Sequence, residues 1–318
     1  MAAVVALTLS AVSIAGCGAQ AAKAGDGVPG VLAVWGNSGR VDGDFVKPRV
    51  IDVVRDNLLC VIDRSGRAQL LDFRGAFVSK FLFTDTQRGY PTGMTVTSDG
   101  NLLVAETHNY RVAEYTPEGK ELMAFGSMGT GDGQFVYVSD IAVSSSGRIY
   151  VSDFGTVDRV QEFDKEGHFV RRLAETGTAP GQLQQPRGLA VAPDDSLFVT
   201  DACNDRVQRF SSDGKFLAVY GGPGSGEGQF RYPYGIAISR DGIVYVAEYG
   251  NCRVQRMTVD GSFMGTWGSR GHEVGQLAEP WGVALDGKGK LFVLDTGNSR
   301  VVVLDLAAMK WSTQIRKG

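Results

Sequence analysis

Histidine is scarce in this chain of 318 residues, with three copies, and cysteine has four. The cysteines show no CxxC or Cys/His spacing, so nothing points to zinc. Positive charge is not in excess. Lys and Arg number 32 against 35 Asp and Glu, for a formal net charge of −3. No long run of one sign occurs, which argues against a nucleic-acid partner. The glycine-rich stretches "GSMGTGDGQF" and "GGPGSGEGQF" lack the lysine and the following helix that a phosphate cradle needs, and read as turns between strands. No GxSxG nucleophile motif is present. No segment carries a 3.6-residue period, and no apolar run reaches the ~20 residues of a membrane span.

Glycine, by contrast, is abundant, with 43 copies in a chain that is 43% hydrophobic. Many tight turns and a large core are expected. The chain repeats itself. "YPTGMTVTSDGNLLVAE", "VSDIAVSSSGRIYVSD", "QPRGLAVAPDDSLFVTD", "YPYGIAISRDGIVYVAE" and "EPWGVALDGKGKLFVLD" align at Gly93, Asp140, Gly188, Gly235 and Gly282, in steps of 47 or 48 residues. "KPRVIDVVRDNLLCVID" near Pro48 is an earlier, shorter copy. Each unit holds four short alternating or β-branched segments separated by Asp, Gly, Asn and Pro, which are strand and hairpin signals. Four antiparallel strands per unit of this length is a propeller blade. The fold expected is all-β, a six-bladed β-propeller over residues 31–306. Residues 31–45 match 216–230, a fourth strand and the loop after it, so Val31–Trp35 is expected to close the ring against the blade formed by 280–306. The tail "KWSTQI" at 310–315 is a competitor for that edge.

From residue 31 to 306 the chain resembles the NHL repeat family. The marks are GxGQF at Gly131–Phe135 and Gly226–Phe230, the PxG start, the strand-ending acid, and NxRV at Asn109–Val112, Asn204–Val207, Asn251–Val254 and Asn298–Val301. The resemblance implies the fold and leaves function open, since the family spans amidating lyases, RNA-binding proteins, extracellular sensors and bacterial secreted proteins.

The N-terminus reads separately. Ala2–Ala15 is apolar or small and runs into Ile14, Ala15, Gly16 and Cys17, which resembles a bacterial lipobox, although no Lys or Arg precedes it. Residues 1–16 are expected to be a lipoprotein-type signal peptide, with lipidation at Cys17. Residues 17–30 are read as a flexible tether and 307–318 as a C-terminal tail. The implied location is extracytoplasmic, on a membrane, in the periplasm or at the cell surface. Cys60 reads as a small core residue. Cys203 and Cys252, in equivalent loops of neighbouring repeats, are candidates for a disulfide, against which stands the divergence of adjacent blades with radius.

Six acid–arginine pairs recur: Asp63/Arg67, Glu106/Arg111, Asp153/Arg159, Asp201/Arg206, Glu248/Arg253 and Asp295/Arg300. A catalytic group is needed once per site, so a feature written six times is read as scaffold, a charge-assisted pair flanking one hairpin loop. What differs between copies is more informative. The position before the repeat glycine reads Arg49, Thr92, Ser139, Arg187, Tyr234 and Trp281, with His108, Tyr137, Phe154, Tyr232 and Tyr249 nearby. Arg49, Arg187, Tyr234, Trp281, His108 and Tyr249 are the candidate ligand-binding residues of a channel mouth, being of the types that dominate binding hot spots.

A family lyase would be expected to use a histidine-rich metal site. His108 and His272 are placed on one face and His168 on the other, too few for that site, and the channel positions named here include no carboxylate. No metal, cofactor or catalytic residue is therefore assigned. The leading expectation is a non-catalytic binding or scaffold propeller that recognises a protein, peptide or glycan. The alternative is a metal-dependent lyase or hydrolase at the channel mouth. The sequence leaves the oligomeric state open.

Overall fold

The computed structural model describes residues 27–313, and the backbone of Lys23–Ala24. Residues 1–16, Cys17 and the end of the tail lie outside the described residues. Six antiparallel sheets stand in a ring. From channel to rim, blade four is Pro186–Val191, Leu197–Asp201, Arg206–Phe210 and Phe216–Gly221. The inner strands of the other blades are Val50–Arg55, Gly93–Val96, Tyr137–Val143, Pro233–Ile238 and Gly282–Leu285. The second strands are buried along nearly their whole length because both faces meet neighbouring blades, which is why they read as largely apolar runs.

Blade six is built from both ends of the chain. Val31–Trp35 runs antiparallel to Arg300–Asp305, with Val34 opposite Val302 and Trp35 opposite Val301. Within the 17–30 stretch, Lys23–Ala24 pairs with Val34 and Ala33 as a short fifth strand. The tail goes elsewhere. Ser312 exchanges backbone hydrogen bonds of 2.9 and 3.1 Å with Thr266, on the outer strand of blade five, and Trp311 lies 4.4 Å from the Arg256 guanidinium carbon. It therefore leaves the closing edge to Val31–Trp35.

Three of the inter-blade loops are anchored by one aromatic each. Phe45, Phe135 and Phe230 are completely buried. Each packs on a glycine with positive φ (Gly36, Gly126, Gly221), where a built Cβ would stand 2.3–2.4 Å from the ring. Both the backbone conformation and the space demand glycine there.

The acid–arginine pairs hold these same loops. In blade four, Arg206 Nε donates to Asp201 at 2.7 Å, and its Nη atoms donate to the carbonyls of Thr178, Ala179 and Gln182. Asp201 accepts from Gln184 N at the loop's end and from the Asn204 side-chain amide. Arg67, Arg159, Arg253 and Arg300 repeat the clamp. Blade two departs: Arg111 bonds Glu106 and then turns outward to Glu121. Burial pushes the carboxyls of Asp153, Asp201 and Asp295 up, and Glu248 to about 6, against the pull of their arginines. The pairs thus specify the loop conformation at a desolvation cost.

Candidate functional site: the channel and its mouth

The inner strands line a central cavity of about 290 Å³. They approach closely because glycine occupies the repeat position. A Cβ on Gly188 would lie 2.3 Å from the Tyr234 carbonyl oxygen, and one on Gly235 2.6 Å from that of Trp281. Hydroxyls stitch the blades together at this level: Thr200 donates to Tyr234 O at 2.7 Å and Thr296 to Pro48 O at 2.6 Å.

All six positions preceding the repeat glycine reach the cavity, and they divide by function. Thr92 and Ser139 are buried and bond the scaffold, Thr92 to Thr107 and Ser139 to Arg187 O. The other four converge over blades four, five, six and one. The Arg49 guanidinium carbon lies 4.9 Å from the Trp281 ring centre. Trp281 meets Tyr234 edge-on at 4.8 Å, and Tyr234 stacks on Tyr249 at 4.8 Å. Arg187 sits 4.1 Å from Phe154 and 5.2 Å from Tyr234. Phe154 continues to Tyr137 at 5.4 Å, and Tyr137 to His108 at 5.6 Å. The predicted mouth residues are thus one connected chain of rings and cations. Tyr232 stands beside it, exposed.

This crown holds two half-buried arginines. Burial, followed by repulsion from Arg64 and Arg187, lowers Arg49 to about 10. Arg187 is lowered by burial, and its Nε is buried with no hydrogen-bond acceptor. Among the described residues neither arginine forms an ion pair with an acid. Burial, then Arg49, also pushes the His108 imidazole down.

Below the crown the sequence reading needs correcting, because the channel does contain carboxylates. Asp52 and Asp140 both line it. Burial raises Asp52 to about 6 and Asp140 to about 7, the latter also through the charge of Asp52. Asp140 accepts from Leu189 N of the next blade at 2.9 Å, and Asp52 from Val53 N at 2.7 Å. The signal lay in the alignment. Asp140 stands in the glycine column, and Asp52 in the column of Thr95, Ala142, Ala190, Ala237 and Ala284.

The histidines do not come together with them. His168 pairs with Asp164 at 3.0 Å, and His272 bonds Asn298 in the outer loops. Among the described residues no three His, Cys, Asp or Glu side chains are placed to hold a metal ion. A histidine-rich metal site does not fit this channel. Cys203 and Cys252 are both free thiols. Asn204 and Asn251 occupy the same motif position, and the cysteines lie on opposite sides of it, one before and one after.

Four segments match the NHL repeat: residues 89–115, 183–210, 230–257 and 277–304. This is an NHL-repeat β-propeller. The NHL chain is 31% identical over 112 residues to protein brain tumor of Drosophila melanogaster, covering 35% of this chain and 10% of that protein. It is 34% identical over 184 residues to the peptidylglycine alpha-amidating monooxygenase of Rattus norvegicus, covering 54% and 18%. It therefore spans less than a fifth of either relative. Among solved structures, a gluconolactonase from Xanthomonas campestris superposes with a TM-score of 0.66 at 15% identity over 90% of this chain and 98% of that one. A streptogramin B lyase gives 0.59 at 16% identity over 85% and 96%. These two establish the propeller fold alone.

Proposed function

We propose that this NHL propeller is a binding module outside the cytoplasm, carried on a lipidated Cys17, that presents its channel mouth to a protein, peptide or glycan. The observation that carries the reading is the connected crown of Arg49, Trp281, Tyr249, Tyr234, Arg187 and Phe154. Scaffold residues repeat from blade to blade, and these do not. Large half-buried aromatics with unpaired arginines are what binding hot spots are made of. The test is to probe the full chain on peptide and glycan arrays beside Trp281→Ala and Arg49→Ala. Loss of the selected ligands in both variants, with melting temperature kept, is the expected result. Undiminished binding would remove the mouth from consideration.

A second reading is favoured by Asp52 and Asp140. Two coupled carboxyls raised towards neutrality in a cavity are a recurrent acid–base arrangement, and lyase and gluconolactonase activities occur on this fold in the structures named above. It makes the chain a lyase or hydrolase. Stoichiometric metal in protein prepared without chelator, or turnover lost in Asp140→Asn, would favour it over the binding module.

A further inference from the structure

The nature of the ligand follows from charge placement, and this inference rests on the binding reading above. The Arg187 guanidinium carbon lies over the Phe154 ring at 4.1 Å and the Tyr234 ring at 5.2 Å. A guanidinium stacked in this way keeps only its edge for partners, and that edge has the fork geometry of a carboxylate receptor. Arg49 faces the same opening from across Trp281. Both cations are desolvated, Arg187 lowers Arg49 by repulsion, and neither forms an ion pair among the described residues, Asp158 acting on Arg187 only through its charge, so the mouth can take an anion.

The floor has the opposite character. On blade three the mouth residue is the small Ser139, and the next position along the strand is Asp140. Asp52 lies three residues along its strand from Arg49, about 10 Å at the strand rise of ~3.3 Å per residue. The floor therefore offers hydrogen-bond acceptors and disfavours a multiply charged anion. The 290 Å³ available lies at the bottom of the range for ligand pockets, about 300–1,000 Å³. That suits a single ring. A carboxylate at one edge of the ring answers the arginines, and hydroxyls at the other answer the aspartates. An aromatic acid without ring hydroxyls meets the first demand and leaves the second unmet, and a peptide C-terminus offers backbone N–H donors in place of a ring of hydroxyls.

We propose that the channel mouth binds one uronic-acid ring, carboxylate between Arg49 and Arg187 and hydroxyls towards Asp140 and Asp52. The ring is either a free sugar or the terminal residue of an acidic glycan, since both present the same chemistry.

Titration calorimetry on the full chain tests this with glucuronate, galacturonate, glucose, acetate and inorganic phosphate. A uronate is expected to bind saturably, and glucose, acetate and phosphate at least about tenfold more weakly, the loss expected when a charge-assisted hydrogen bond goes unmade. Arg49→Gln should weaken the uronate by a similar factor while leaving glucose unchanged, and Arg49→Lys should recover part of it, which guards against a merely misfolded variant. Tighter binding of a galacturonate trimer than of the monomer assigns the glycan end, and equal binding assigns the free sugar; both uphold the proposal. Glucose or acetate binding as tightly as the uronate overturns it. If no uronate binds while Arg49→Ala still abolishes an array ligand, the uronate falls and the mouth stands; if Arg49→Ala leaves every array ligand bound, the mouth reading itself falls.

Discussion

Asp153 and Arg159 face each other in blade three, with Nε and Nη2 both donating to one carboxylate oxygen at 3.1 Å. Their side chains retain 0% and 3% of their surface. The carboxyl is nonetheless pushed up by burial, so the arginine only partly compensates for the desolvation.

Removing the arginine therefore strands a buried charge. Arg159→Ala is expected to lower the unfolding free energy by about 3–5 kcal/mol. Arg111→Ala in blade two is the control: that side chain is 31% exposed and clamps no loop, and Glu106 keeps its hydrogen bonds from Asn109 and Tyr115, so the loss should be about 1–2 kcal/mol. Urea unfolding followed by far-ultraviolet circular dichroism measures both, and equal losses would contradict the clamp.

The channel acids predict a pH dependence. Asp52 and Asp140 titrate near 6 and 7 in the folded protein and near ~3.9 when unfolded. The folded state therefore binds more protons between these limits, and stability falls as pH rises from about 4 to 7. The fall amounts to about 1.4 kcal/mol per pH unit for each fully displaced group. Asp52→Asn/Asp140→Asn, which keeps an acceptor oxygen at each site, should match the native melting temperature at pH 4 and exceed it at pH 8. A variant that is less stable at pH 8 would mean that the ionised pair is stabilising.

Repetition decided what could be read from the sequence. Five clamps of one design, and an aromatic at the same loop position in three blades, reinforce each other, so the acid–arginine pairs and the ring closure at Val31–Trp35 were legible before any coordinates. Gln69, Gln161 and Gln208, which bond both the N–H of Gly43, Gly133 and Gly181 and a carbonyl of the same loop, repeat equally well and were overlooked inside RVQ and RAQ. Asp52 and Asp140 were missed for the opposite reason. Each occurs once, and an acid on an inner strand differs from a surface acid only through neighbours on other blades. The docking of Ser312 on Thr266 depends on a single bridge, which no sequence pattern marks.

The loop anchors make a sharp prediction about packing. Phe230 is fully buried, and Phe230→Ala should cost about 3–5 kcal/mol. Gly221→Ala attacks the same contact from the other side. With φ at +83° and the Phe230 ring 2.3 Å from a built Cβ, it combines backbone strain with a clash, and its loss should exceed the ~1 kcal/mol of an ordinary glycine exchange. Thermal unfolding of the two variants and their double mutant tests the link. Because both act on one contact, the double mutant should lose less than the sum.

Ring closure predicts the most drastic phenotype. Val31–Trp35 covers the third strand of blade six, whose residues Val301, Val302, Val303 and Leu304 are buried. Deleting residues 1–35 would expose that strand as an apolar, β-branched edge, the kind that pairs with other chains. It would also remove Trp35 and uncover the core that it covers around Phe45 and Phe292. The truncated chain should run as soluble aggregate or multimer in size-exclusion chromatography. Deleting residues 310–318 removes one backbone bridge and the Trp311 contact with Arg256, and should leave a monodisperse species of native size with a lower melting temperature. If the first truncation is monodisperse and melts like the intact chain, the N-terminal strand is not what closes the propeller.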